Sequence, residues 1–78
     1  MDKRLLSLNS REVEGLLKKL GFEFHRQKGS HQQFVGNIGG KRRLVTVQAN
    51  QSHFARKTMK SMILQSGLAE QDWIEVIR

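Results

Sequence analysis

Phe22-Glu23-Phe24-His25-Arg26-Gln27-Lys28-Gly29-Ser30-His31-Gln32-Gln33-Phe34-Val35 is the stretch on which the fold turns. Its first six residues alternate apolar and polar, the period of a β-strand, which predicts that Phe22 and Phe24 are buried and Glu23, His25 and Gln27 exposed. A second strand is expected over residues 31–35, with Phe34 in the core and His31, Gln33 and Val35 on the opposite face. If Phe24 and Phe34 both point inward, paired residue numbers must sum to an even value. Gln27 opposite His31, around a three-residue loop of Lys28, Gly29 and Ser30, meets that condition. His31 then leaves the turn on the exposed face beside Lys28 and Arg26, with His25 diagonally across at roughly 7–8 Å by Cα.

Outward from this hairpin, Gly36-Asn37-Ile38-Gly39-Gly40-Lys41 has the composition of a hairpin loop, and Arg43-Leu44-Val45-Thr46-Val47 is β-branched enough for a third strand with Val45 and Val47 inward. Gly36-Asn37-Ile38-Gly39 also spells the GXXG of KH domains, but that loop joins two helices and this one joins two strands. On the N-terminal side, Asn9 followed by Glu12 reads as a capping box, with Leu8 stapled against Val13. Val13, Leu16, Leu17 and Leu20 continue at helical spacing, and Gly21 ends the helix. On the C-terminal side a polar loop over 49–54 precedes a second helix whose inner stripe is Ala55, Met59, Met62, Ile63 and Ser66, closed by Gly67. The tail, residues 69–78, offers a short acidic helix able to dock Trp73 and Ile77.

The order α-β-β-β-α predicts one domain spanning 1–78. It is a two-layer α+β fold: a three-stranded antiparallel sheet with both helices on one face and the other face open. Seventy-eight residues bury only roughly 60% of the unfolded surface, so the core must be thin. With no cysteine, no disulfide supplements it, and the composition suits a reducing cytoplasm. No apolar run approaches the roughly 20 residues needed to cross a bilayer, so no membrane association is expected.

The net charge of +7 calls for a polyanionic partner. Its excess sits in the middle of the chain: between residues 21 and 48, Arg26, Lys28, Lys41, Arg42 and Arg43 face only Glu23. Arg26, Lys28 and the Gly29-Ser30 turn surround His31, where a phosphodiester would find positive charge beside an imidazole able to take a proton from an RNA 2′-hydroxyl. Lys41, Arg42 and Arg43 form a further basic run able to contact phosphate. His25, His31 and His53, spaced six and twenty-two apart with no cysteine, do not make a zinc site.

Ser10-Arg11-Glu12-Val13, Leu20-Gly21-Phe22, Gln27-Lys28-Gly29-Ser30-His31, Phe34, Val45-Thr46-Val47 and Leu64-Gln65-Ser66-Gly67-Leu68 together resemble the HicA toxin family, over about residues 9–68. The resemblance implies a double-stranded-RNA-binding-like fold and a cytoplasmic endoribonuclease toxin that cleaves mRNA without metal or other cofactor. It further implies inhibition by a HicB-like antitoxin, and it puts the catalytic histidine at His31. Two features depart from the family. Gln48-Ala49-Asn50-Gln51-Ser52-His53 replaces a stretch that often begins with proline, and the tail with Trp73 lies outside the match. The competing expectation is a non-catalytic module that binds double-stranded RNA or DNA through the same basic surface.

Overall fold

A computed structural model describes residues 1–77; Arg78, the last residue of the expected tail, lies outside the described residues. The elements run α1 (Lys3–Leu6), α2 (Ser10–Lys19), β1 (Glu23–Lys28), β2 (His31–Ile38), β3 (Lys41–Gln48), α3 (Arg56–Ser66) and α4 (Glu70–Val76). The expected α+β architecture is present: one antiparallel sheet in the order β1-β2-β3, flanked by helices. One short helix, α1, adds to the expected order, and α4 is the short acidic helix expected of the tail.

α2 starts where its local chemistry directs. The Asn9 side chain accepts from the Glu12 N–H (2.8 Å) while the Glu12 carboxylate accepts from the Asn9 N–H (2.9 Å), so two of the helix's orphan donors are satisfied reciprocally. It ends with the Gly21 N–H donating to the Lys18 carbonyl and the Phe22 N–H to the Leu17 carbonyl (3.1 and 2.8 Å). This crossed pair returns the chain toward the sheet and buries Phe22. Asn9→Ala is expected to cost about 1 kcal/mol of stability, read as a lower urea midpoint at unchanged slope. α1 is capped by Asp2, whose carboxyl is held down at about 2 by the Arg4 guanidinium and then by the Arg4 backbone N–H.

The sheet buries one face. Phe34, Val45 and Val47 join Val13, Leu16 and Leu17 of α2 and Met59, Met62 and Ile63 of α3 in a single core. Leu5 of α1, Phe54 before α3, and Trp73 and Ile74 of α4 complete it. Phe54, in the expected polar loop, is buried, whereas Ala55, expected on the inner stripe, is exposed and stands at the N-cap. Trp73 is fully buried, and its indole N–H donates to Ser66 Oγ (3.2 Å), so the acidic tail is part of the fold.

The first hairpin differs from its expected register. Lys28, not Gln27, stands opposite His31, and the connection is the two-residue turn Gly29–Ser30. Gly29 has φ +60°, which suits the first central position of a type II′ turn, the tight connection whose twist matches a hairpin. Phe24 still pairs with Phe34, so the extra residue is absorbed as a bulge at His25, between Phe24 and Arg26. Beyond the bulge every side chain of β1 changes face. Phe24 is 51% exposed rather than buried, because β1 is the free edge of the sheet; its ring meets Phe34 edge-on at 5.8 Å. The expected loop over 36–41 shrinks to Gly39–Gly40, and both strands run longer than their β-branched segments, ending on the pair Ile38 and Lys41.

Candidate active site

Cross-strand partners share a face, so the register assigns the open side of the sheet directly. Lys28, His31 and Gln48 form one row across the three strands, and Arg26, Gln33 and Thr46 form the next. Glu23, Val35 and Leu44 follow, and Asn37 pairs with Arg42 beyond them. Gln27, expected on this face, pairs with Gln32 and belongs to the helix-facing side; the bulge puts Arg26 in its place.

Hydrogen bonding at the edge of β3 fixes how tightly these rows close. The Thr46 N–H is taken by Gln65 Oε1 of α3 (3.1 Å), and the Gln48 carbonyl by Ser10 Oγ (2.8 Å). Both groups therefore point away from β2. The pairs Gln33/Thr46 and His31/Gln48 are thus of the non-hydrogen-bonded kind, with Cα atoms about 4.5 Å apart against about 5.5 Å in the other kind. Gln48 is accordingly the nearest cross-strand neighbour of His31, with Lys28 on its other side. The Ala49 N–H donates to the Ser30 carbonyl (2.7 Å), pinning the turn to the strand that carries Gln48. Gln48 was not singled out in the sequence because the second hairpin had no fixed register. Counting outward from a two-residue Gly39–Gly40 turn finds it.

His31 is exposed at the end of this face. Arg26 is held in place by its Nε donating to Gln33 Oε1 (3.2 Å). Asp2–Arg4 is the one ion pair among the described residues, so Arg26, Lys28 and Arg42 carry charge that no described carboxylate neutralises. The run Lys41-Arg42-Arg43 divides. Arg42 shares the open face with His31, while Lys41 and Arg43 lie at helix-facing positions. Arg43 is half-buried, its Nε near the Ile38 carbonyl (3.4 Å) and its guanidinium against Gly67, where an added Cβ would come within 2.6 Å. A side chain so placed packs the end of α3 and does not share the His31 face. His25 sits in the bulge toward the far end of the sheet, and His53 in the loop before α3 contacts Ser52 Oγ through Nδ1 (3.1 Å). The three histidines are not brought together, and among the described residues no His, Cys, Asp and Glu side chains group as metal ligands. No helix among the described residues is long and apolar enough to cross a membrane.

A search of curated proteins gives no match to this sequence. The family model described as the HicA toxin of bacterial toxin–antitoxin systems matches residues 10–68, most of the chain. It begins at the first residue of α2 and ends just after α3, so it takes in the whole sheet and every residue of the His31 face. The chain belongs to the HicA toxin family, the toxin side of bacterial toxin–antitoxin pairs.

Proposed function

We propose that this protein is an endoribonuclease toxin that cleaves mRNA with His31 as general base and is silenced by a HicB-like antitoxin covering the same face. The observation that carries the reading is the row Lys28-His31-Gln48, with Arg26 beside it, on an exposed face whose cations no described carboxylate pairs. A phosphodiester seated there meets Lys28 and Arg26 as phosphate ligands and the Gln48 carboxamide as a donor to a non-bridging oxygen. The Gly29–Ser30 turn lets backbone approach the strand, and Arg42 holds phosphate further along.

His31 takes the proton of the 2′-hydroxyl; that oxygen attacks the adjacent phosphorus, the bond to the 5′-oxygen breaks, and the leaving oxygen is protonated. The products are a 2′,3′-cyclic phosphate and a 5′-hydroxyl. No bound metal enters this sequence of steps. Cleavage of a long single-stranded RNA by the purified chain, abolished on adding the product of an adjacent acidic reading frame, tests the activity and the partner together. An acidic partner suits this face because complementary charge steers association and masks the site at once.

Phosphate contact has its own signature. Log affinity for a single strand falls with log salt at about 0.7 per phosphate neutralised, so Lys28→Ala and Arg42→Ala are each expected to flatten the slope by about 0.7. Fluorescence anisotropy on a labelled RNA between 50 and 200 mM salt, roughly the range over which such contacts are lost, reads this out. Lys41→Ala and Arg43→Ala should leave the slope unchanged.

A further inference from the structure

The open face carries a second feature toward the end remote from His31. A hollow of about 490 Å³ is lined by Glu23, Phe24, His25, Asn37 and Arg42, with Gly21, Val35 and Gly36 forming the rest of its wall. Its size lies within the roughly 300–1,000 Å³ of small-molecule sites. Two features of the chain create it. Gly36 has no side chain, and a Cβ there would sit 3.0 Å from the Phe22 ring and 3.1 Å from the Gly21 carbonyl, so the chain entering β1 comes in close. The bulge at His25 follows on the edge strand, and Glu23 and His25 both line the hollow.

Glu23 is the one acidic residue on the basic face among the described residues, and it lines the same hollow as Arg42 without forming an ion pair with it. By strand spacing their Cα atoms are roughly 12 Å apart, two strands across and two residues along, leaving room for a planar group between the side chains. An ionised carboxylate only accepts and a guanidinium only donates. Among the four RNA bases, guanine alone presents two adjacent N–H donors, N1 and N2, to the two oxygens of one carboxylate. Its O6 and N7 acceptors are those that arginine takes.

We infer that this hollow is a guanine subsite, in which Glu23 and Arg42 select the base of a single-stranded RNA whose backbone continues toward His31. The inference rests on the RNA-cleaving reading for its biological use, but the subsite stands on its own geometry. The hollow lies about 13 Å from His31 along β2, four residues at the strand rise. A stacked strand rising 3.4 Å per residue would put the selected base about four nucleotides from the cut, and an extended strand fewer.

The test is an NMR titration of the full chain carrying His31→Ala with guanosine, inosine and adenosine 5′-monophosphates, which share one phosphate and differ in the base. The guanosine nucleotide is expected to shift the amides of Glu23, His25, Gly36 and Asn37 and to bind at least about fivefold tighter than the adenosine nucleotide, the lower end of what one bidentate base contact discriminates. The inosine nucleotide, lacking the 2-amino group, should fall between them, and adding Glu23→Gln should erase the difference. Equal affinities, shifts confined to the His31 end, or a preference that survives Glu23→Gln would each overturn the subsite. None of these results depends on cleavage, so a His31→Ala chain that still cuts RNA would sink the catalytic reading and leave this one to be judged by the titration.

Discussion

His31→Ala is expected to slow RNA cleavage by roughly 10²–10⁴-fold, the range that a positioned general base contributes. His31 is exposed and makes no hydrogen bond to another described side chain. Its removal should therefore leave stability within about 0.5 kcal/mol, as for most surface substitutions. A loss of rate with an unchanged urea midpoint assigns the effect to chemistry; a parallel loss of both would make the residue structural. Binding gives a further separation, because Lys28 and Arg26 remain in place. The His31→Ala chain should hold RNA with nearly the parent affinity and salt slope while failing to cut it. The competing non-catalytic binding module predicts the reverse: no cleavage by the parent chain, and no consequence of the substitution.

The largest stability effect is expected at the other end of the chain, from Trp73→Ala. The indole is fully buried, and its N–H donates to Ser66 Oγ, a hydroxyl that itself donates to the Ile63 carbonyl (2.6 Å) and accepts the Leu68 N–H (3.2 Å). Truncating a buried aromatic typically costs 3–5 kcal/mol. A domain of this length holds about 4–12 kcal/mol in total at the usual stability per residue. Urea unfolding followed by circular dichroism should thus show the midpoint falling by about a quarter or more, or the domain already unfolding without urea. An unchanged midpoint would mean that α4 does not belong to the core. The residue lies beyond the 10–68 segment that marks the family, so a chain cut after Leu68 should retain the site residues and lose the fold that presents them.

Much of the architecture follows from local signals that tertiary structure has no reason to override. Asn9 and Glu12 cap α2 because each satisfies the other's backbone donor, and Met59, Met62, Ile63 and Ser66 share a stripe because helical spacing leaves them no other face. The first hairpin shows where such reading stops. Alternation alone cannot distinguish a three-residue loop from a two-residue turn plus a bulge, since both keep Phe24 opposite Phe34. Only the backbone preference of Gly29 breaks the tie, and the bulge then moves Arg26 onto the His31 face and Gln27 off it. Phe24 illustrates a second limit: its position has the inward parity, but burial needs an element above it, and the edge strand is exposed along its whole length.

The site divides in the same way. Lys28 beside His31 was legible because both flank the turn. Gln48 was not, because its place opposite His31, seventeen residues earlier, depends on a second turn eight residues back along the chain, set by Gly39 and Gly40. Charge was legible only in bulk: Lys41, Arg42 and Arg43 are equivalent in a sequence, yet a strand sends Arg42 to the open face with His31 and Arg43 under α3 against Gly67.

The central claim is that the His31 face cleaves RNA by activating the 2′-hydroxyl. It is tested most directly by mapping one cleavage site in an RNA oligonucleotide, replacing the single 2′-hydroxyl at that site by hydrogen, and measuring cleavage of both oligonucleotides by the parent chain in excess EDTA. The all-RNA strand is expected to be cut there to give a 2′,3′-cyclic phosphate, with the 2′-deoxy strand intact at that bond. Equal cleavage of both strands, or cleavage that EDTA abolishes, would contradict the claim.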